Sequence, residues 1–129
     1  MYLLDTDFLF AYFLKGQSTH NKAKSIMNQI ENDDLYVSNI VLQELATVLS
    51  NKQSQEVAKI VISKCKLLDL KVIKMTDIDE ENVWKVFNLI DKNETRFIDC
   101  SNLYLAKKCE FMVASFDSFY PSQILIQAI

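Results

Sequence analysis

Four acids in this chain stand where carboxylates do chemistry. Asp5 ends an apolar opening run, Met1-Tyr2-Leu3-Leu4, and Thr6 follows it. Asp117 comes just after a second such run, Phe111-Met112-Val113-Ala114-Ser115. Both runs read as buried strands of a parallel sheet with an acid at the carboxyl end, the edge where open α/β sheets bind ligands. Glu44 and Asp99 lie in helical patterns directed at the same edge. Carboxylates gathered in one cleft repel each other unless a cation neutralises them. Oxygen-only donors suit Mg²⁺ or Mn²⁺, and the chemistry such a site performs most often is phosphodiester hydrolysis.

Each acid also has an ordinary structural use. Asp5 and Asp117 sit where turn and N-cap aspartates bond locally to backbone N–H groups. Glu44 lies beside an apolar helical stripe, from which a charge either reaches a cleft or extends to the surface. Asp99, in Phe97-Ile98-Asp99-Cys100, stands at a helix start, where the helix dipole favours a carboxylate. Asp7, two residues beyond Asp5, is expected to point away from it, as a solvated or capping group. With one histidine and no paired cysteines, zinc is disfavoured. Ser38, Ser115 and Cys100 lack a histidine base, so a nucleophilic triad is disfavoured too.

The elements that must position these acids alternate. A strand over Met1–Leu4 precedes a helix over Asp7–Leu14, capped by Thr6 and stopped by Gly16. Ser18 or Thr19 caps the next helix, whose Ala23, Ile26, Met27 and Ile30 form an i, i+3, i+4, i+7 stripe. Leu35–Val37 is a second strand, and Ser38 or Asn39 caps a helix carrying Val41, Leu42, Leu45 and Leu49. A helix over Gln53–Leu68 and a strand over Leu70–Met75 follow. Thr76-x-x-Asp79 resembles a capping box and opens a helix with Val83, Val86, Phe87 and Ile90. Ile98–Lys108 is the last long helix, Phe111–Ser115 the fourth strand, and Ile124–Ile126 a candidate fifth. Near-continuous apolar strands alternating with helices predict an α/β fold: three layers, α/β/α, around a parallel sheet of four to five strands. Asp5 and Asp117 come together only if the first and fourth strands are neighbours, a pairing that periodicity alone does not supply.

The chain has 129 residues, half of them hydrophobic, with one Gly and one Pro, which suits a single folded domain over 1–129. The formal net charge of −3 argues against a broad non-specific DNA-binding surface. Three cysteines without CxxC spacing suit free thiols in a reducing compartment. Asp5 and Asp7 interrupt the apolar opening, so no leader peptide is expected, and no apolar run is long enough to span a membrane. A cytoplasmic protein is the expectation.

Taken together, these residues resemble the PIN-domain nucleases, especially the small VapC-type toxins of toxin–antitoxin pairs. Leu3-Leu4-Asp5-Thr6-Asp7 is similar to the first family motif, and Ser38 through Leu45, with Glu44, to the second. Phe97-Ile98-Asp99-Cys100 with Leu103, Leu105 and Ala106 is similar to the third, and Val113-Ala114-Ser115-Phe116-Asp117-Ser118-Phe119 to the fourth. The resemblance covers essentially the whole chain. It implies a metal-dependent endoribonuclease with Asp5, Glu44, Asp99 and Asp117 around one or two Mg²⁺ or Mn²⁺ ions. Thr6 and Ser115 would supply hydroxyls that orient Asp5 and Asp117. It also implies a homodimer and an antitoxin partner whose C-terminal segment covers the cleft. Asp7 departs from the pattern where many members have Asn or Ser. Cys109-Glu110 stands where many have a Gly, and Asn102 is nearest to the position of a further acid.

Hydrolysis by a metal-activated water would leave a 5′-phosphate on the RNA product. Arg96, Lys15, Lys107 and Lys108 are candidates for phosphate contacts, with a solvated charged surface as the alternative. Two other readings compete. Asp5-Thr6-Asp7 after a strand also suits a haloacid-dehalogenase-type phosphatase with Asp5 as nucleophile, though no later pair of acids completes it. A catalytically silent PIN-like module that binds RNA or a partner protein is the other.

Overall fold

The computed structural model describes residues 1–127. Its elements are β1 (Tyr2–Leu4), α1 (Thr6–Phe13), α2 (His20–Ile30), β2 (Leu35–Ser38), α3 (Asn39–Lys52), α4 (Gln55–Leu67), β3 (Lys71–Ile73), α5 (Asp77–Leu89), α6 (Phe97–Cys109) and β4 (Met112–Ala114). Among the described residues the strands form one sheet in the order β3-β2-β1-β4, parallel throughout. β1 pairs with β4 over Tyr2–Met112, Leu3–Val113 and Leu4–Ala114. The chain moves outward from β1 to β2 and β3, then returns to place β4 on the other side. The strand order therefore reverses between β1 and β4, and a crevice opens at their carboxyl ends.

Alternation along β1 divides the core in two. Leu4 packs with α1–α4 residues such as Phe8, Leu9, Ile26, Val41 and Leu45. Leu3 faces the opposite side, with Leu103, Leu105, Phe111 and Val113. Both leucines are fully buried, each stabilising the fold by roughly 1.5–3 kcal/mol relative to an exposed side chain. Helices on both faces give the three layers expected from the sequence, and they explain why the central strand β1 is apolar on both sides, whereas the edge strand β3 is largely exposed.

Local signals set the helix starts. Ser38 caps α3 by accepting from the Val41 N–H at 3.1 Å, and Ser54 caps α4 through Val57 at 3.0 Å. Thr76 and Asp79 exchange bonds at 3.1 and 3.0 Å in the expected capping box of α5. The cap of α1 is a correction: Asp5, not Thr6, is the N-cap, and α1 ends at Phe13, before Gly16. The fifth strand is also absent from the described residues. A 3₁₀ turn takes up Ser122–Ile124, leaving only Leu125 to form a single parallel bridge with Val113. Glu110 ends α6 in the left-handed conformation, φ 59°. No helix among the described residues is long and apolar enough to cross a membrane.

Candidate active site

Asp5 stands at the carboxyl end of β1 with its side chain fully buried. Its Oδ1 accepts from the Thr6 backbone N–H at 2.8 Å and from Asn102 Nδ2 at 3.0 Å. Its Oδ2 accepts from Ser115 Oγ at 2.8 Å and the Tyr120 hydroxyl at 3.1 Å. Burial pushes this carboxyl up to about 7; the nearby Asp7 adds to the rise, and the bonds from Ser115 and Thr6 oppose it. Asn102 also donates to the Tyr120 hydroxyl at 3.2 Å. Its own Oδ1 is buried without a hydrogen-bond partner among the described residues.

Asp7 does not point away. Helical Cα–Cβ bonds tilt toward the helix N-terminus, and for the first turn of α1 that direction leads to the end of β4. There Asp7 Oδ2 accepts from the Phe116 backbone N–H at 3.1 Å, and Oδ1 lies 3.2 Å from Ser115 Oγ. Ser115 has one hydroxyl hydrogen for two carboxylates, and Asp5 is the nearer. Burial pushes Asp7 up to about 6; Asp117 adds to the rise, and the Phe116 N–H opposes it.

The remaining acids arrive from other elements. Glu44, on α3, accepts from the Thr6 hydroxyl at 2.9 Å. Asp99, in the first turn of α6, is 2 % exposed, and burial raises its pKa despite the opposing charge of Arg96. Asp117 follows β4; its backbone N–H donates to Ser115 Oγ at 3.0 Å, and its Oδ1 accepts from the Phe119 N–H at 2.9 Å. One guanidinium ties the three together. Arg96, the residue before α6, lies 3.0 Å from Glu44 Oε1, 3.3 Å from Asp99 Oδ1 and 3.8 Å from Asp117 Oδ2.

The four expected acids thus meet at the sheet's switch point. Of the two hydroxyls, that of Ser115 reaches one of the acids expected for the pair, Asp5, and that of Thr6 reaches another, Glu44. Thr6 orients Glu44 with its hydroxyl and Asp5 only with its backbone N–H. Ser115 donates to Asp5 and accepts from the Asp117 backbone. Asp7, Asn102 and Tyr120 belong to the cluster as well. An Asp-x-Asp after a strand was a signal for Asp7; Tyr120 comes from an irregular segment with no periodicity to announce it.

The donor chemistry fits a hard divalent cation: carboxylate oxygens around a position already taken by a positive charge. Among the described residues, no three His, Cys, Asp or Glu side chains are close enough to hold an ion together as placed. The Arg96 nitrogens lie among the oxygens that would have to converge.

A cleft of about 260 Å³ runs beside the acids, lined by Thr6, Asp7, Phe10, Lys52, Arg96 and Phe116. A second hollow of about 180 Å³ has Lys92, Asp99, Asp117 and Phe119 in its wall. Lys52 lies 5.7 Å from the Phe10 ring centre and Lys92 5.9 Å from that of Phe119. Of the cations expected from sequence, only Arg96 is in this wall. Lys15 is exposed in the turn after α1. Lys107 and Lys108 lie at the far end of α6 with Val86, Leu103 and Tyr104, and Lys108 pairs with Asp79 at 2.8 Å.

A search of curated proteins returns no match to this sequence. Among solved structures, the chain is similar to Mycobacterium tuberculosis VapC20, a sarcin–ricin-loop-cleaving toxin, at 23% identity and a TM-score of 0.84, covering 92% of each chain. It is also similar to Rickettsia felis VapBC2 bound to a promoter DNA fragment, at 17% identity and a TM-score of 0.61, covering 97% of this chain and 95% of the other. At these identities the likeness is one of fold. The sequence pattern of the PIN domain matches residues 2–120, and with that match over nearly all of its length the chain belongs to the PIN domain family.

Proposed function

We propose that this protein is an endoribonuclease that requires Mg²⁺ or Mn²⁺ and acts as the toxin of a toxin–antitoxin pair. The observation that carries the reading is the meeting of Asp5, Glu44, Asp99 and Asp117, from four separate elements, around one positive charge at the switch point of a PIN fold. Glu44, Asp99 and Asp117 present oxygens toward that charge, and they, with Asp5, would hold one or two ions. A divalent cation bound there supplies Lewis-acid activation of water and neutralises charge at the scissile phosphate.

The chain's own residues do the rest. Asp5 anchors the cluster through four hydrogen bonds. The Thr6 hydroxyl fixes Glu44. Asp7, with its raised pKa, can hold a proton near pH 6 in the wall of the cleft. Lys52 and Lys92, on either side of the acids, suit the backbone of a single-stranded or looped RNA, and the half-buried Phe119 ring suits a base. A phosphatase of the haloacid-dehalogenase type would need a later pair of acids beside its nucleophile, and Asp117 is followed by Ser118.

VapC20 cleaves the sarcin–ricin loop, and a structured RNA loop is accordingly the substrate class proposed here. An antitoxin segment would cover the cleft. A second copy of the chain would use exposed apolar side chains such as Ile78, Trp84 and Leu89 on α5. The cytoplasm, where Cys65, Cys100 and Cys109 stay as thiols, is the proposed compartment.

The deciding experiment is cleavage of a pool of structured RNAs with Mn²⁺ or Mg²⁺, with EDTA and Asp5→Asn as controls. Cleavage that leaves 5′-phosphates and stops in both controls supports the reading. Well-folded, partner-free protein that cuts none of several RNAs points to the silent binding module.

A further inference from the structure

We propose that Arg96 is a built-in rival of the divalent cation, so that the ion enters only as the guanidinium leaves. This rests on the metal-dependent reading above. Arg96 Nη1 takes Glu44 Oε1, and Nη2 takes Asp99 Oδ1 and approaches Asp117 Oδ2, at 3.0, 3.3 and 3.8 Å. An oxygen whose lone pair meets an N–H at that distance cannot offer the same direction to a metal, and two cations on three shared carboxylates repel each other. The occupants are therefore mutually exclusive.

Two further observations set Arg96 apart from an ordinary surface ion pair. It occupies the N-cap of α6, a position that favours Ser, Thr, Asp or Asn, and it makes no side-chain cap bond. A local preference is given up there for a charge directed into the cluster. Its side chain is also 48% exposed and lines the 260 Å³ cleft, so it has room to rotate away without disturbing the core. Displaced, it remains on the cleft wall, where it can meet a substrate phosphate. Lys52 lines the same cleft but rests over the Phe10 ring, which makes it the charge-matched control.

The test is calorimetric titration of Mn²⁺ into the wild type, Arg96→Gln, Arg96→Lys and Lys52→Gln. Arg96→Gln is expected to bind Mn²⁺ about tenfold or more tightly than the wild type. It should melt at a lower temperature without metal and regain more on adding it. Arg96→Lys, whose single ammonium cannot fork across the carboxylates, should bind about threefold more tightly, which keeps the test open if the glutamine variant fails to fold. Lys52→Gln should change affinity by no more than about twofold. Mn²⁺ binding that is unchanged or weaker in both Arg96 variants, with a wild type that does bind, overturns the rivalry and leaves the nuclease reading standing. No Mn²⁺ uptake by any of the four proteins overturns both.

Discussion

Ser115 and Asp5 meet across the seam between β4 and β1, hydroxyl to carboxylate at 2.8 Å, although 110 positions separate them in the chain. The same oxygen accepts the Asp117 N–H and faces Asp7. Ser115→Ala removes the strongest opposition to the raised Asp5 pKa and leaves a buried carboxylate short of a donor. A loss of roughly 1.5–3 kcal/mol is expected in urea unfolding at neutral pH, and a smaller loss at pH 4, where Asp5 is protonated.

Stability should fall as the medium becomes alkaline. The folded protein holds Asp5 near 7 and Asp7 near 6, above the ordinary aspartate value of 3.8. The folded state thus keeps protons that the unfolded chain has released. The contribution is whole below about pH 4 and is lost as pH rises through 6 and 7. Thermal melts in EDTA should show this decline between pH 5 and 8; Asp5→Asn should flatten it, and Mn²⁺ should raise the melting temperature more at pH 8 than at pH 5. A wild-type melting temperature that rises over this range in EDTA contradicts the assignment.

Asp79 does the opposite. It is buried, accepts from Thr76, Tyr104 and Lys108 at 3.0, 2.9 and 2.8 Å, and so clasps the start of α5 to α6. The Lys108 bond, followed by the Thr76 bond, holds its pKa well below the usual carboxylate range. Its contribution is present above the ordinary aspartate pKa and is lost only as pH falls through that depressed value. Asp79→Ala removes half of a capping box and strands the partners, at a cost of about 2–4 kcal/mol by chemical denaturation.

Glu110 ends α6 at φ 59° and ψ 41°, a region that charges L side chains about 1–2 kcal/mol and glycine nothing. Glycine loses more entropy on folding, so Glu110→Gly should give a net gain of about 0.5–1 kcal/mol. An unchanged or lower melting temperature would count against that backbone conformation.

RNA affinity should separate the lysines. Lys52→Glu and Lys92→Glu reverse charge on the two walls beside the acids and should weaken binding by about tenfold each at low salt, with a shallower salt dependence. Lys107→Glu, at the far end of α6, should leave binding within about twofold. Equal losses at all three positions would place the RNA path elsewhere.

Much of the fold could be read from local pattern. The apolar runs before Asp5 and Asp117, the serine cap at 38, and the Thr76–Asp79 box each act within a few residues, and each stands where expected; the fourth helix starts at Gln55, capped by Ser54, where Gln53 was expected to open it. The pairing of β1 with β4 could only be assumed, since no local signal links segments so far apart. The gathering of Glu44, Asp99 and Asp117 followed from the motif resemblance; the hydrogen bonds around them did not. Asp7 was misjudged because helical spacing separates it from Asp5, whereas the tilt of the first turn brings it back. The grip of Arg96 left only a faint trace, an arginine at a cap position. Lys107 and Lys108 looked usable because charge alone does not tell one end of a helix from the other.

The position of β1 between β2 and β4 has a consequence for synthesis. β1 leaves the ribosome well before β4, and this central strand must wait for that later segment before its second edge is paired. Until Ser115, Asp117 and Tyr120 emerge, Asp5 lacks both donors to its Oδ2, and the cleft lacks one of its carboxylates. On the function proposed here, a translating ribosome carries this chain in a form that cannot yet cut RNA.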